Sequence, residues 1–198
     1  MSRANTLDRR AAVRSLLAER GDLLVVTGLG APAWDATAAG DSPLTFPLWG
    51  AMGSAAMIGL GLALAQPERA VLVLTGDGEM LMGLGSLATI GVQRPANFAL
   101  AVLDNERYGE TGMQETHTAH GVDLAAIAAG CGFAQSGTIR EMAGIEALRA
   151  RLKARQGPLF AQVKIAADTP PLALPPRDGG LLKSRFRAAL LGPDAALA

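Results

Sequence analysis

The chain has 198 residues, 49% of them apolar but only 4% aromatic, and its 18 basic residues balance 18 acidic ones. That length suits one domain able to bury its own core, and the balance excludes the strongly basic surfaces that bind nucleic acid or acidic membranes. Cys131 is the only cysteine, so no disulfide forms within the chain, and the N-terminal stretch Met1–Asp8 carries no apolar signal region. The most apolar stretch, Ala51–Ala65, is too short for a membrane span and is broken by glycines. These features predict a soluble cytoplasmic protein.

Thr6–Arg20 has the periodicity of an amphipathic helix, closed by Gly21. Asp22–Thr27 reads as the first strand and runs into Gly28-Leu-Gly-Ala-Pro-Ala33, which fits a G-x-G-x-x-A dinucleotide fingerprint. A nicotinamide site also needs a second strand ending in an acidic residue about 20 positions on. The stretch Asp41–Trp49 holds two prolines instead and makes a poor central strand. Phe46–Ala55 is a loop leading into a helix, Ser54–Ala65, that is apolar all round and should be buried or packed on a partner.

Val71–Gly76 and Leu100–Leu103 are short apolar runs of the kind buried on both faces of a parallel sheet, and Glu79–Gln93 between them predicts one crossover helix. The polar loop Asn105–Thr118 follows. Asp123 is placed to cap a helix through Gly130. A short strand at Phe133–Ser136, a charged helix at Arg140–Arg155 and a last strand at Leu159–Ile165 complete the pattern. The alternation predicts an α/β fold: an open, doubly wound parallel sheet of about six strands with helices on both faces. The domain should end near residue 168, because 169–198 changes character, with two Pro-Pro pairs, Gly179-Gly180 and a basic helix at Leu181–Leu190. Such a tail should cross the surface, or a partner, rather than complete the sheet.

The two apolar runs deliver Gly76-Asp-Gly78 and, after 26 intervening residues, Asn105 to neighbouring strand ends, where open α/β sheets bind ligands. Asp77 offers an anionic oxygen, Asn105 an amide oxygen, and the turn beyond it a backbone carbonyl. That set suits Mg²⁺ shared with phosphate oxygens. Gly76 and Gly78 allow close backbone approach, and the amides of Glu79 and Met80, opening the next helix, favour a phosphate.

This spacing resembles the signature of thiamine-diphosphate enzymes, in their diphosphate-binding domain, from about Leu23 to Ile165. Within that family the chain resembles sulfopyruvate decarboxylase β subunits and phosphonopyruvate decarboxylases. Their loop after the metal-binding Asn carries Gly-Gly-Gln-x-Thr, here Gly112-Met-Gln-Glu-Thr116. The resemblance implies thiamine diphosphate and Mg²⁺ as cofactors. Asp77, Asn105 and the Arg107 carbonyl would be the metal ligands. Gly28, Leu29, Gly30, Gly76, Gly78, Glu79 and Met80 would hold the diphosphate, with Tyr108 beside it. The Gly50 carbonyl would accept from the aminopyrimidine, and Met52 would prop the cofactor into its bent form. Glu110 and Thr111 would line the site of a 2-oxo acid, whose CO₂ leaves while the cofactor acts as electron sink.

The family takes its activating glutamate from a separate pyrimidine-binding domain. No second sheet domain fits in these 198 residues, so the resemblance implies a hetro-oligomeric site completed by another subunit. Glu110, Met113 and Glu115 replace the serine, glycine and proline of similar sequences, and their carboxylates would repel an anionic substrate unless paired, as with Arg107. His117 and His120 read equally well as proton donors and as surface-loop residues. A carboligase of the acetolactate-synthase type and a non-catalytic cofactor-binding partner are the alternatives.

Overall fold

The structure, a computed structural model, describes residues 6–192 and residue 194. Asp8 caps the first helix, α1 (Arg9–Leu16), accepting the Ala11 amide at 2.6 Å. This helix is shorter than the expected Thr6–Arg20 because Leu7 pairs instead with Ile165 in a parallel bridge. Then β1 (Leu24–Thr27) enters the Gly28–Gly30 turn. It is followed by α2 (Ala31–Ala38), a helix the sequence reading did not anticipate, with Pro32 in its first turn. Next come β2 (Thr45–Pro47), α3 (Ala55–Ala65) and β3 (Val71–Gly76).

The single crossover helix expected over Glu79–Gln93 is two, α4 (Asp77–Met82) and α5 (Ser86–Gln93). Gly83 breaks it, its backbone pressed so closely on Gly53 that a Cβ there would strike the Gly53 carbonyl. Beyond β4 (Phe98–Asp104), β5 (Arg107–Tyr108) and β6 (Gln114–Glu115) form a small antiparallel hairpin, followed by a 3₁₀ turn at His117–His120. Asp123 caps α6 (Leu124–Gly130) through the Ala126 amide, as expected. The strand expected at Phe133–Ser136 is displaced to β7 (Gln135–Ile139), because Phe133 turns into the core edge-on to Phe160, with ring centroids 5.9 Å apart. The chain closes with α7 (Met142–Lys153), β8 (Leu159–Lys164) and α8 (Gly179–Leu191).

Six parallel strands form one sheet in the order β2-β1-β3-β4-β8-β7. One core lies under α1, α2 and α7, and the other under α3 to α6 and α8. Proline-bearing β2 is an edge strand, where missing amide donors cost nothing. Strand order reverses between β1 and β3, and α2 and α4 leave toward opposite faces, which opens a crevice at those strand ends.

The apolar helix α3 is buried only on its inner side, at Ala56, Gly59, Leu60 and Ala63. Met57, Ile58 and Leu64 face outward, beside exposed Met82 and Val92. The tail crosses the C-terminal edge of the sheet without joining it. There α8 covers β2, with Phe186 and Phe46 centroids 5.5 Å apart and Arg185 clamping Asp41 at 2.6 and 3.0 Å. Among the described residues no helix is long and apolar enough to cross a membrane.

Candidate active site

The crevice holds a cavity of about 440 Å³. Leu29 enters it from the β1 turn, Met52 from the loop before α3, and Gly76, Asp77, Gly78 and Glu79 from the end of β3. Asn105, Arg107, Tyr108, Glu110 and Thr111 close it from the β4 end. Of the other expected residues, Gly28 is buried beneath the cavity and Gly30 lies at its edge against Glu110. Gly50 stands exposed in the loop, and the Met80 side chain points into the core, leaving its amide at the start of α4.

Gly28 has no room for a side chain. A Cβ there would collide with the Glu79 carboxylate and come within 2.9 Å of Thr75 Oγ1. Glu79 is itself buried: its Oε1 accepts the Ala55 amide at 3.4 Å, and its Oε2 has no hydrogen-bond partner of good geometry among the described residues. Burial pushes its carboxyl above the usual range. Gly28→Ala is expected to lower unfolding stability by about 1–3 kcal/mol, read from the denaturant midpoint. The double variant with Glu79→Ala should recover most of that loss.

The helices α2 and α4 both begin at this crevice, and neither N-cap, Gly30 or Gly76, has a side chain to satisfy the first amides. Free amides and the positive end of each helix favour an anion between them. Gly30 adopts φ +71°, a conformation natural to glycine.

Asp77 is 2% exposed, and its partners are hydroxyls. Thr116 Oγ1 donates to its Oδ2 at 2.5 Å, and Thr118 Oγ1 lies 3.3 Å away. Burial, opposed by the Thr116 bond and reinforced by the charge of Asp104, pushes the Asp77 carboxyl up to about 6. Among the described residues no Lys, Arg or His pairs with it. Asp104 is the reverse case. Burial opposes its ionisation, but Lys164 at 2.8 Å, Gln162 at 2.6 Å and Thr118 at 2.8 Å outweigh that and hold its carboxyl below the usual range. Lys164 also reaches Glu106 Oε1 at 2.6 Å.

The hairpin supplies the roof. Asn105 Oδ1 accepts the Arg107 amide at 3.0 Å, and the Arg107 side chain pairs with Glu115 at 3.2 Å. The Tyr108 ring lies across Gly78, and its hydroxyl is 3.4 Å from His117 Nδ1. Thr111 Oγ1 donates to Gln114 Oε1 at 2.8 Å, closing the hairpin tip. Glu115 is thus paired with Arg107, and with His120 at 3.2 Å, whereas Glu110 forms no ion pair among the described residues.

Among the described residues no three His, Cys, Asp or Glu side chains converge as a metal cage. The oxygen donors that line the cavity include one buried carboxylate, Asp77, and one amide, Asn105. They suit a hard oxygen-seeking cation completed by water and the oxygens of a bound anion. Sequence reading left Asp104, Thr116, Thr118, Gln162 and Lys164 without a role. The signal was present: a carboxylate ending a wholly apolar strand, and the alternation Phe160, Gln162, Lys164 on the strand beside it.

A family model described as "Thiamine pyrophosphate enzyme, C-terminal TPP binding domain" matches residues 31–163. Sulfopyruvate decarboxylase subunit beta of Methanothermobacter thermautotrophicus is 40% identical over 171 residues, covering 85% of this chain and 89% of that protein. Phosphonopyruvate decarboxylase of Streptomyces viridochromogenes is 38% identical over 192 residues, 96% of this chain but 48% of that one. Among solved structures, benzoylformate decarboxylase from Polynucleobacter necessarius matches with a TM-score of 0.71 at 19% identity, over 84% of this chain and 34% of that one. This last likeness is one of fold.

Proposed function

The chain belongs to the thiamine pyrophosphate enzymes, as their C-terminal TPP-binding domain, and from that premise we propose that it is the diphosphate-binding subunit of a two-chain 2-oxo acid decarboxylase. The observation that carries the site assignment is Asp77, a buried carboxylate that opens α4 with no counter-cation among the described residues, in a cavity where the uncapped α2 also begins. Asp77, the Asn105 side chain and the Arg107 carbonyl hold Mg²⁺. The Gly28–Gly30 turn and the first amides of α2 and α4 take the diphosphate. Met52 and the Gly50 carbonyl face the pyrimidine end, with Tyr108 over Gly78. Thiamine diphosphate, when bound, supplies an electron sink for the pair left as CO₂ departs.

Glu110 and Thr111 stand at the rim and contact the substrate, a 2-oxo acid. Pairing of Glu115 with Arg107 and His120 supports acceptance of an anionic one, since it offsets one of the two added carboxylates. The activating glutamate comes from a separate pyrimidine-binding subunit. The outward face Met57, Ile58, Leu64 and Val92 supports such a contact, as apolar surface of this kind marks interaction sites.

The test is to co-express the chain with the product of the adjacent reading frame and assay CO₂ and aldehyde release from sulfopyruvate, phosphonopyruvate and pyruvate. Stoichiometric CO₂ and aldehyde, only with both chains present, is the expected result. Acetolactate as the product would replace this reading with the carboligase one.

A further inference from the structure

Beyond Ile165 the chain runs over the cavity, and Asp168, Thr169, Pro170 and Leu172 line it. This segment is fastened at two points on opposite sides of the crevice. On the α1 side, Arg10 Nη2 donates to the Pro171 carbonyl at 2.6 Å, while the same guanidinium pairs with buried Asp35 at 2.8 Å. On the α3 side, Trp49 Nε1 donates to the Pro176 carbonyl at 2.8 Å, and the Arg177 guanidinium lies 5.5 Å from the Trp49 ring centroid. Each acceptor is the second residue of a Pro-Pro pair. Proline pairs have no amide donors to satisfy and lose little conformational freedom on being held extended, so the segment suits a tie between two fixed points.

The anchored loop is the one that carries Gly50 and Met52. Ala51 has φ +58°, a left-handed conformation that costs a non-glycine residue energy and persists only where neighbours enforce it. Its C-terminal side is fixed by the close contact of Gly53 with Gly83. On the N-terminal side, Leu48 donates its amide to the Thr27 carbonyl, and the next residue is Trp49, whose side chain reaches the tail.

We propose that residues 169–177 are a cross-brace holding the Trp49–Met52 turn in the geometry that receives the cofactor, with Trp49 and Arg177 as positioning residues. The idea rests on the reading of Gly50 and Met52 as contacts to the pyrimidine end. It makes the tail a part of the site rather than an appendage.

The test compares wild type with Trp49→Phe, which keeps an aromatic ring but loses the indole N–H, and with Arg177→Ala and Arg177→Lys. Amide hydrogen exchange is followed in the full chain without cofactor. Thiamine diphosphate binding with Mg²⁺ is measured by calorimetry on the chain with its co-expressed partner. In Trp49→Phe, the Leu48 and Ser54 amides, which bond the Thr27 and Ala51 carbonyls at either side of the turn, should exchange about five-fold faster, as loss of one hydrogen bond implies, while those of β3 stay unchanged. Cofactor affinity should fall by about five-fold or more in step, with Arg177→Lys nearer wild type than Arg177→Ala. Unchanged exchange at Leu48 and Ser54 would overturn the brace. Faster exchange with unchanged affinity would overturn its positioning role. If wild type itself binds no thiamine diphosphate, the functional reading falls and the positioning role with it, whereas the exchange comparison still decides on the brace.

Discussion

Asp77→Asn should make the cofactor-free chain more stable at neutral pH while abolishing its Mg²⁺-dependent binding of thiamine diphosphate. Both effects follow from one buried carboxylate. Its folded value, about 6, lies above the ordinary aspartate value, so between roughly pH 4 and 6 the folded chain holds a proton that the unfolded chain has lost. Stability from this group is therefore full below pH 4 and is lost as pH rises through 6. Above that, wild type carries an ionised side chain among threonine hydroxyls and beside Asp104. A neutral amide removes that cost, about 2 kcal/mol at pH 7.5, and still accepts from Thr116. For a chain of this size the melting temperature should rise by roughly 4–8 °C, and the gain should vanish toward pH 4. In the holoenzyme the sign should reverse, because the proposed cation would offset the burial of Asp77 in wild type alone.

Lys164→Met should give the largest loss of stability of any single change at the site, about 3 kcal/mol at pH 7 by urea titration. Asp104 and Lys164 face each other across β4 and β8, 0% and 8% exposed, so removing the cation leaves a buried charge held only by the neutral donors of Gln162, Thr118 and the Glu106 amide. The carboxyl of Asp104 is held below its ordinary range, so the stability it brings is present above about pH 4 and lost as pH falls through its folded value. The gap between wild type and Lys164→Met should accordingly be widest near neutrality and narrow in acid. Adding Asp104→Asn should restore most of the lost stability, since it removes the charge that was stranded. Cofactor affinity should stay low in the double variant. Asp104 also fixes the Glu106 amide at 3.0 Å and shares Thr118 with Asp77, so it shapes the turn that presents Asn105 and the Arg107 carbonyl.

Asp77 and Asn105 were legible in the sequence because each ends an apolar run, and a parallel sheet delivers such ends to one edge. The doubly wound sheet was legible for the same reason. The tail's proline pairs likewise marked a segment outside the sheet. What the sequence left unread depends on pairing across long separations. Lys164 meets Asp104 only through the register of β4 and β8, and Gln162 follows one step behind. The break between α4 and α5 comes from Gly53 approaching Gly83, a contact that helix periodicity within Glu79–Gln93 cannot reveal. Leu7 was assigned to a helix because its spacing suits one, yet pairing with Ile165 claimed it. The guanidiniums of Arg9 and Arg10 meet Asp35 at the cavity wall, a contact across 25 residues or more that the helix pattern alone does not show.

Under the proposed function, this cavity binds thiamine diphosphate through a metal held by Asp77. Calorimetric titration of thiamine diphosphate, with and without Mg²⁺, into wild type and Asp77→Asn, each with the co-expressed partner, tests it most directly. The expected result is saturable binding by wild type that requires Mg²⁺ and falls at least about 100-fold in Asp77→Asn, as loss of an anionic metal ligand implies. Equal binding with and without Mg²⁺, or by both proteins, would contradict the metal assignment. No binding by wild type under any of these conditions would contradict the account as a whole.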